Sequence, residues 1–243
     1  GSLSIEAIGL LRAYTALLWQ VNKFATRRSI KDALALSPDA AILLWKLFTI
    51  RFNPLLTSVA GDSAPIPLEE RTEEFGALSR QFYELLREVR DITQDRILRA
   101  LHTLVSGTVR TNFFCNPKAL ALKLRSEDIA IIPLPRPKFE IFVYGPKVEG
   151  VHLRTDKVAR GGIRWSERTD DYRTEVLGLM KTQKVKNVLI IPAGAKGGFV
   201  VRALPKDPQE VPAAVESCYQ DFIRALLSIT DNRQGAAVIH PEA

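Results

Sequence analysis

The sequence predicts an all-α helical module over residues 1–115. It is followed over residues 116–243 by the first part of an α/β domain, a mixed sheet with flanking helices. Three observations carry that reading. Apolar residues recur at three- and four-residue steps through the first half, the spacing of one helix face. After Asn116-Pro117 the pattern changes to short apolar runs that alternate with helical stretches. Within that second half, two glycine pairs, Gly161-Gly162 and Gly197-Gly198, bracket an amphipathic segment.

Leu3 to Val21 carries Ile5, Ile8, Leu11 and Leu18 at helical spacing, and Ser29 is placed to cap a short second helix through Asp32. Ser37-Pro38-Asp39 puts proline at a first helical position, and the helix it opens should run to about Phe52, where Asn53-Pro54 stops it. Thr57 to Pro67 reads as a loop. Leu68 to Val89 presents Phe75, Leu78, Phe82, Leu85 and Val89 on one face. Thr93 should cap a helix whose stripe is Ile97, Leu101, Leu104, Val105 and Val109. Leu120–Leu124, Phe139–Tyr144 and Val148–Leu153 read as strands, the first two separated by the proline-rich Pro133 to Pro137. A helix from Asp171 to Asn187 is followed by strands at Val188–Ile191 and Phe199–Arg202. A last helix from Val211 to Ile229 turns Val215, Cys218, Phe222, Leu226 and Ile229 inward.

Composition excludes several classes. Charged content of 25% and hydrophobic content of 46% are those of a globular protein, and no apolar run reaches the roughly 18 residues a membrane span needs. Cys115 and Cys218 are far apart without CxxC spacing, so both read as buried thiols in a reducing cytoplasm. The net charge of +7 allows nucleic-acid binding, but aromatic residues are not interleaved with the cations as a base-stacking surface requires. His102, His152 and His240 are scattered and read as structural or exposed, and no metal-ligand cluster is present in the sequence. The opening Gly1-Ser2 and the single methionine, Met180, suggest a piece excised from a longer protein.

The chemistry concentrates between 151 and 200, where ten cations face five anions, a net +5 of the chain's +7. Glycine pairs let a backbone approach a ligand or another chain, and neighbouring Lys and Arg suit a carboxylate or phosphate, so an anionic small molecule is expected here. Gly194-Ala-Lys196-Gly-Gly fails the GxxxxGK[ST] spacing of a triphosphate loop, and no GxGxxG dinucleotide run occurs. Gln183 and Lys186 lie three apart on the proposed helix and share a face, while Lys181 and Lys184 read as a solvated basic face. Lys196, held between glycines in an apolar run, suits general acid/base chemistry.

Arg160-Gly-Gly-Ile-Arg-Trp165, Thr174-Glu-Val-Leu-Gly-Leu-Met-Lys-Thr-Gln183, Val185-Lys-Asn187 and Pro192-Ala-Gly-Ala-Lys-Gly-Gly-Phe-Val200 together resemble the large, NAD-specific bacterial glutamate dehydrogenases. Phe139 to Pro146 and Val148 to Arg154 resemble the same class, and Leu10 to Tyr14 and Asp95 to Leu98 do so more diffusely. The resemblance implies that L-glutamate is interconverted with 2-oxoglutarate and ammonia by a cytoplasmic homo-oligomer. The resemblance also implies a catalytic aspartate downstream and a separate Rossmann-type domain that binds NAD, both outside this chain. The smaller hexameric glutamate dehydrogenases share the pattern in weaker form and imply the roles. Arg160, beside Gly161 and Gly162, would stand where those enzymes use lysine to hold the distal carboxylate. Gln183 and Lys186 would bind the α-carboxylate, and Lys196 would be the catalytic lysine. A gapless alignment would select Lys184 in place of Lys186, which keeps the three-residue offset from Gln183. The isolated chain would then be catalytically silent. The alternative is a regulatory or assembly module whose basic surface binds an acidic partner or nucleic acid.

Overall fold

A computed structural model describes residues 3–22, 24–57, 65–157, 161–186 and 194–241, with side chains in the fourth stretch as far as Lys181. The chain forms two compact units, Gly1–Ser106 and Gly107–Ala243. The expected all-α segment and the mixed sheet with flanking helices are both present.

The first unit contains α1 (Ile5–Val21), α2 (Arg27–Leu36), α3 (Pro38–Phe52), α4 (Leu68–Leu86) and α5 (Ile92–Gly107). The Ser4 hydroxyl caps α1 by accepting from the Ala7 N–H at 3.2 Å. The cap of α2 is Thr26, not Ser29. Thr26 has extended backbone, and its hydroxyl accepts from the Ser29 N–H at 3.0 Å, so the helix begins three residues before the expected position. Ser37 precedes α3 as expected, but its hydroxyl accepts from Gln94 Nε2 at 2.7 Å and makes no cap bond. Asp91, one residue before α5, accepts from the Gln94 N–H at 2.7 Å and does the work expected of Thr93. Of the expected loop from Thr57 to Pro67, residues 58–64 lie outside the described residues; its ends meet in a Thr57–Pro65 bridge. Arg71 ties that region to α3 by donating to the carbonyls of Ile50, Asn53 and Ile66 at 3.2, 2.9 and 3.1 Å. Arg51 donates to the Val105 and Ser106 carbonyls, placing a cation on the negative end of α5. Among the described residues no single helix is long and apolar enough to cross a membrane.

The second unit is built on a six-stranded sheet. Its strands are β1 (Thr108–Thr111), β2 (Leu120–Leu124), β3 (Phe139–Tyr144), β4 (Val148–Arg154), β5 (Ile163–Trp165) and β6 (Ala195–Val201), in spatial order β1-β2-β3-β4-β6-β5. All pairings are antiparallel except β5 with β6, which are joined through α6 (Tyr172–Lys186). After β6 come α7 (Val211–Ser228) and a small hairpin of β7 (Asn232–Gln234) and β8 (Ala237–Ile239). β2, β3 and β4 occupy the expected positions, whereas β1, β5 and the hairpin were not anticipated. β6 starts at Ala195, four residues before the expected strand, and the proposed strand at 188–191 lies outside the described residues. Residues 108–111 pair with β2, so they belong with the sheet and not with the helices.

Side chains alternate between the two faces of the sheet. Ile141, Val143, Val148, Phe199 and Val201 line one face, and α7 covers it with Cys218, Phe222, Ala225 and Leu226. Cys218 is buried there, but Cys115 is exposed, contrary to the expectation of two buried thiols. Glu140, Phe142, Glu149 and Val151 belong to the opposite face, over which α6 lies.

His102 gives the helical unit a pH dependence. It is buried on α5, stacked on Phe82 with ring centroids 5.0 Å apart, and flanked by the Tyr83 and Ser79 hydroxyls, each 3.2 Å from a ring nitrogen. Burial pushes its pKa from 6.5 to about 4. Between those pH values the unfolded chain binds a proton that the folded chain does not, so stability falls as pH is lowered through this window. Denaturant titrations across it should show that slope, and His102→Gln should reduce it, leaving the share of His152, whose pKa burial also lowers to about 4. An unchanged slope in the variant would show that His102 contributes nothing to it.

Candidate functional site

The two glycine motifs come together at one end of the sheet. Parallel pairing sets Ile163 opposite Gly197 and Arg164 opposite Gly198, and the Gly197 N–H donates to the Gly162 carbonyl at 3.0 Å. A Cβ at Gly161 would fall 1.5 Å from the Ala195 carbonyl oxygen, so the backbones touch. Lys196 is partly buried beside this junction; its Nζ lies 3.8 Å from where a Gly162 Cβ would stand. Just upstream, the Thr155 hydroxyl holds Gly194 from both sides. It accepts from the Gly194 N–H at 3.0 Å and donates to the Gly194 carbonyl at 2.9 Å.

Gly197 and Gly198 are needed for internal packing. A Cβ at Gly197 would come within 2.8 Å of Ile163 and 3.2 Å of His152, and one at Gly198 within 2.4 Å of Val176 on α6. The second glycine pair therefore lets β5 close on one face of β6 and α6 on the other.

Because β5 and β6 are parallel, α6 must return the chain from the far end of β5 to the start of β6. Its last turns, which include the Gln183 and Lys186 positions, consequently run toward the end of the sheet that holds Gly161, Gly162 and Lys196. Gln183 is seven residues, about two turns, beyond Val176 along this helix. The structure thus brings Gly161, Gly162 and Lys196 together. Arg160 and the side chains of Gln183, Lys184 and Lys186 lie outside the described residues. Lys181 is exposed, as the solvated reading requires.

Residues not singled out in the sequence hold α6 in place. Arg173, in the first turn, donates from Nε and Nη2 to the two Glu140 oxygens at 2.7 and 2.6 Å, and both side chains are essentially inaccessible to solvent. Burial opposes the charge on Arg173, but the Glu140 carboxylate and its hydrogen bonds prevail and raise the guanidinium pKa. The neighbouring Tyr172 hydroxyl donates to Glu149 Oε1 at 3.1 Å. Burial first, and then the Glu149 charge, keep that phenol protonated. Glu175 accepts from Ser166 at 2.5 Å and faces Arg164 at 3.3 Å, linking α6 to the strand that follows Gly162. The available signal was a carboxylate inside each of two apolar strand runs, at Glu140 and Glu149, since a charge in such a place needs a partner.

Glu140→Ala leaves Arg173 charged and unpaired in the interior and should cost about 3–5 kcal/mol of stability in urea unfolding of this chain. Replacing both members with apolar residues, Glu140→Leu with Arg173→Met, should be much milder. Equal losses in the single and double variants would show that the pair does not act as a unit.

Residues 81–243, two thirds of the chain, match the family described as the bacterial NAD-glutamate dehydrogenase catalytic domain; residues 1–54 match glutamate dehydrogenase helical motif 3. The chain is 43% identical to an NAD-specific glutamate dehydrogenase of Pseudomonas aeruginosa over 96% of its own length, and 41% identical to that of Halomonas elongata over 99%. It is 42% identical to that of Mycobacterium tuberculosis over 95%. It spans only 14–15% of the length of these relatives.

Proposed function

Since this chain belongs to the bacterial NAD-glutamate dehydrogenase catalytic-domain family, we propose that it forms the glutamate cradle of such an enzyme. On this reading residues 107–243 are the first part of the substrate domain and residues 1–106 an accessory helical module, the boundary moving up from 115 because β1 pairs with β2. The observation that carries it is the position of Lys196. Its amine sits beside Gly162, where the two glycine motifs join and toward which the final turns of α6 return.

Arg160 would grip the distal carboxylate, for which a guanidinium fork has the right geometry. Gln183 and Lys186 would hold the α-carboxylate. With both ends fixed, C2 is oriented for reaction, and positioning of this kind supplies much of the rate. Lys196 would polarise the C2 carbonyl of 2-oxoglutarate and, in the other direction, help water attack the C2 imine that hydride loss leaves. NAD, the hydride acceptor, is assigned to another part of the longer protein, because this sequence has no GxGxxG run. The two free thiols support a reducing, cytoplasmic setting.

Kinetics of the full-length enzyme separate these roles. Lys196→Ala should lower kcat by about 10²–10⁴ with little change in the KM for glutamate, as the loss of acid/base assistance does. Arg160→Ala should chiefly raise KM, because a carboxylate clamp acts on ground and transition states alike. A near-normal kcat for Lys196→Ala would make the lysine a clamp and move the catalytic group elsewhere. The 243-residue chain by itself should oxidise no glutamate with NAD, and measurable turnover would overturn the assignment of the cofactor to another domain.

A further inference from the structure

Lys196 belongs to the α6 face of the sheet, and the other face carries a second group of cations. Strand register sets Arg110 opposite Lys123, Lys123 opposite Ile141, Ile141 opposite His152, and Phe139 opposite Arg154. Cross-strand partners share a face, so Arg110, Lys123, His152 and Arg154 all stand on the side that α7 covers. The apolar cluster under α7 holds Ile141, Val143, Val148, Phe199 and Val201, so the cations stand at its margin, beside Ile141. At its C-terminal end the Ile229 carbonyl accepts from Arg110 at 3.0 Å.

The cations are unequally partnered. Arg110 donates to Asp231 at 2.8 Å, and the same Asp231 oxygen meets His240 at 2.8 Å. The Lys123 ammonium sits 5.2 Å from the centre of the Phe139 ring, and Arg154 Nε donates to His152 Nδ1 at 3.3 Å. Among the described residues neither Lys123 nor Arg154 forms an ion pair with a carboxylate, although both are half-buried. Burial lowers the Lys123 pKa, Arg154 and Arg110 lower it further, and Asp231 opposes them; burial also lowers that of Arg154. His152, depressed to about 4 by burial and by Arg154, is neutral and accepts the guanidinium N–H. Among the described residues these three cations share the carboxylate of Asp231, an excess of two positive charges at half-buried positions.

We propose that Arg110, Lys123 and Arg154 form a binding site for a small dianion on the α7 side of the sheet. Two excess charges match a phosphate or a dicarboxylate. The Arg154 guanidinium from β4 and the Lys123 ammonium from β2, on either side of β3, offer the donors that either group accepts. The Phe139 ring fixes the lysine by a cation–π contact, and His152 fixes the orientation of Arg154, so the donors are placed before the anion arrives. A dianion would also remove the repulsion that Lys123 and Arg154 now exert on one another. This site stands independently of the role proposed for Lys196.

The test is calorimetric titration of the 243-residue chain with inorganic phosphate and, separately, with malonate, a dicarboxylate too short to span the two carboxylate clamps proposed around Lys196. It is run at constant ionic strength and about pH 7.5, where phosphate is largely dianionic. One-to-one saturable binding of either probe is expected. Lys123→Gln and Arg154→Gln should each weaken it at least tenfold, while Lys196→Ala leaves it unchanged. Phosphate alone binding would assign a phosphate ligand, and malonate alone a dicarboxylate. Non-saturable heats with both probes would overturn the proposal, as would binding that survives Lys123→Gln or is lost in Lys196→Ala. A second measurement needs no variant: the bound probe should protect Lys123 from amine acylation as read by mass spectrometry, and equal labelling with and without probe would overturn the site.

Discussion

The arrangement depends on the seating of α6 against the sheet, and the Arg173–Glu140 pair decides that seating. Two opposite charges with almost no solvent contact cost several kcal/mol each to desolvate, and only close, doubly hydrogen-bonded geometry recovers that cost. An apolar contact tolerates sliding, but a bidentate pair has a single productive register. Glu140 lies on central strand β3, so the first turn of α6 is referred to the rigid middle of the sheet. Tyr172 on Glu149 of β4 and Glu175 on Ser166 add two more fixed points around the same turn. A helix pinned at its start by directional contacts delivers its final turns to a defined place, which a site built on Gln183 and Lys186 would require.

The glycines complete what the ion pair begins. Val176 is one turn beyond Tyr172 and packs where Gly198 has no side chain, so the helix can sit close to β6. On the other side of the same strand, Gly197 admits Ile163, which lets the very short β5 pair in parallel. With a larger residue at either position, α6 or β5 would have to move outward and Lys196 would part from Gly162. Lys196 is therefore a strand residue, paired with Leu153 of β4 and followed by Gly197, which pairs with Ile163 of β5, not the tip of a loop. That suits an acid/base group whose effect depends on tenths of an ångström.

Much of this was legible in the sequence, for identifiable reasons. Strands β2, β3 and β4 and helices α3 and α6 have strong internal patterns bounded by proline, glycine or asparagine, and they fall where periodicity puts them. β1 was hidden because Val109 continues the apolar stripe of α5, and its strand character comes only from pairing with β2. β5 has three residues, too few for a pattern, and exists because β6 is beside it. β6 starts early because Lys-Gly-Gly reads as a loop until its packing neighbours are known. The caps at Thr26 and Asp91 were each displaced toward an equally plausible polar residue nearby. Among the candidate site residues, the glycine pairs and Lys196 could be read from local sequence. The supports of α6 could not, because Arg173 finds its partner 33 residues upstream.

The two faces of the sheet treat charge in opposite ways, and the contrast separates structure from binding. On the α6 face the innermost charges are mutually satisfied: Arg173 with Glu140, and Tyr172 and Arg202 with Glu149. Such groups have little left to offer a ligand; their role is to hold geometry. On the α7 face the apolar half is a conventional core, but at its margin Lys123 and Arg154 are half-buried beside an aromatic ring and a neutral imidazole, and among the described residues neither is ion-paired with a carboxylate. A fold that matches its buried cations with carboxylates on one side, and on the other sets three cations against Asp231, leaves binding energy available on the second. Removing one of those cations should therefore relieve like-charge repulsion in the anion-free protein. Lys123→Gln should unfold at a denaturant concentration no lower than the parent chain when no multivalent anion is present, and should lose any stabilisation that phosphate confers. A large loss of stability without phosphate would instead show that Lys123 is a structural partner whose charge the fold already uses.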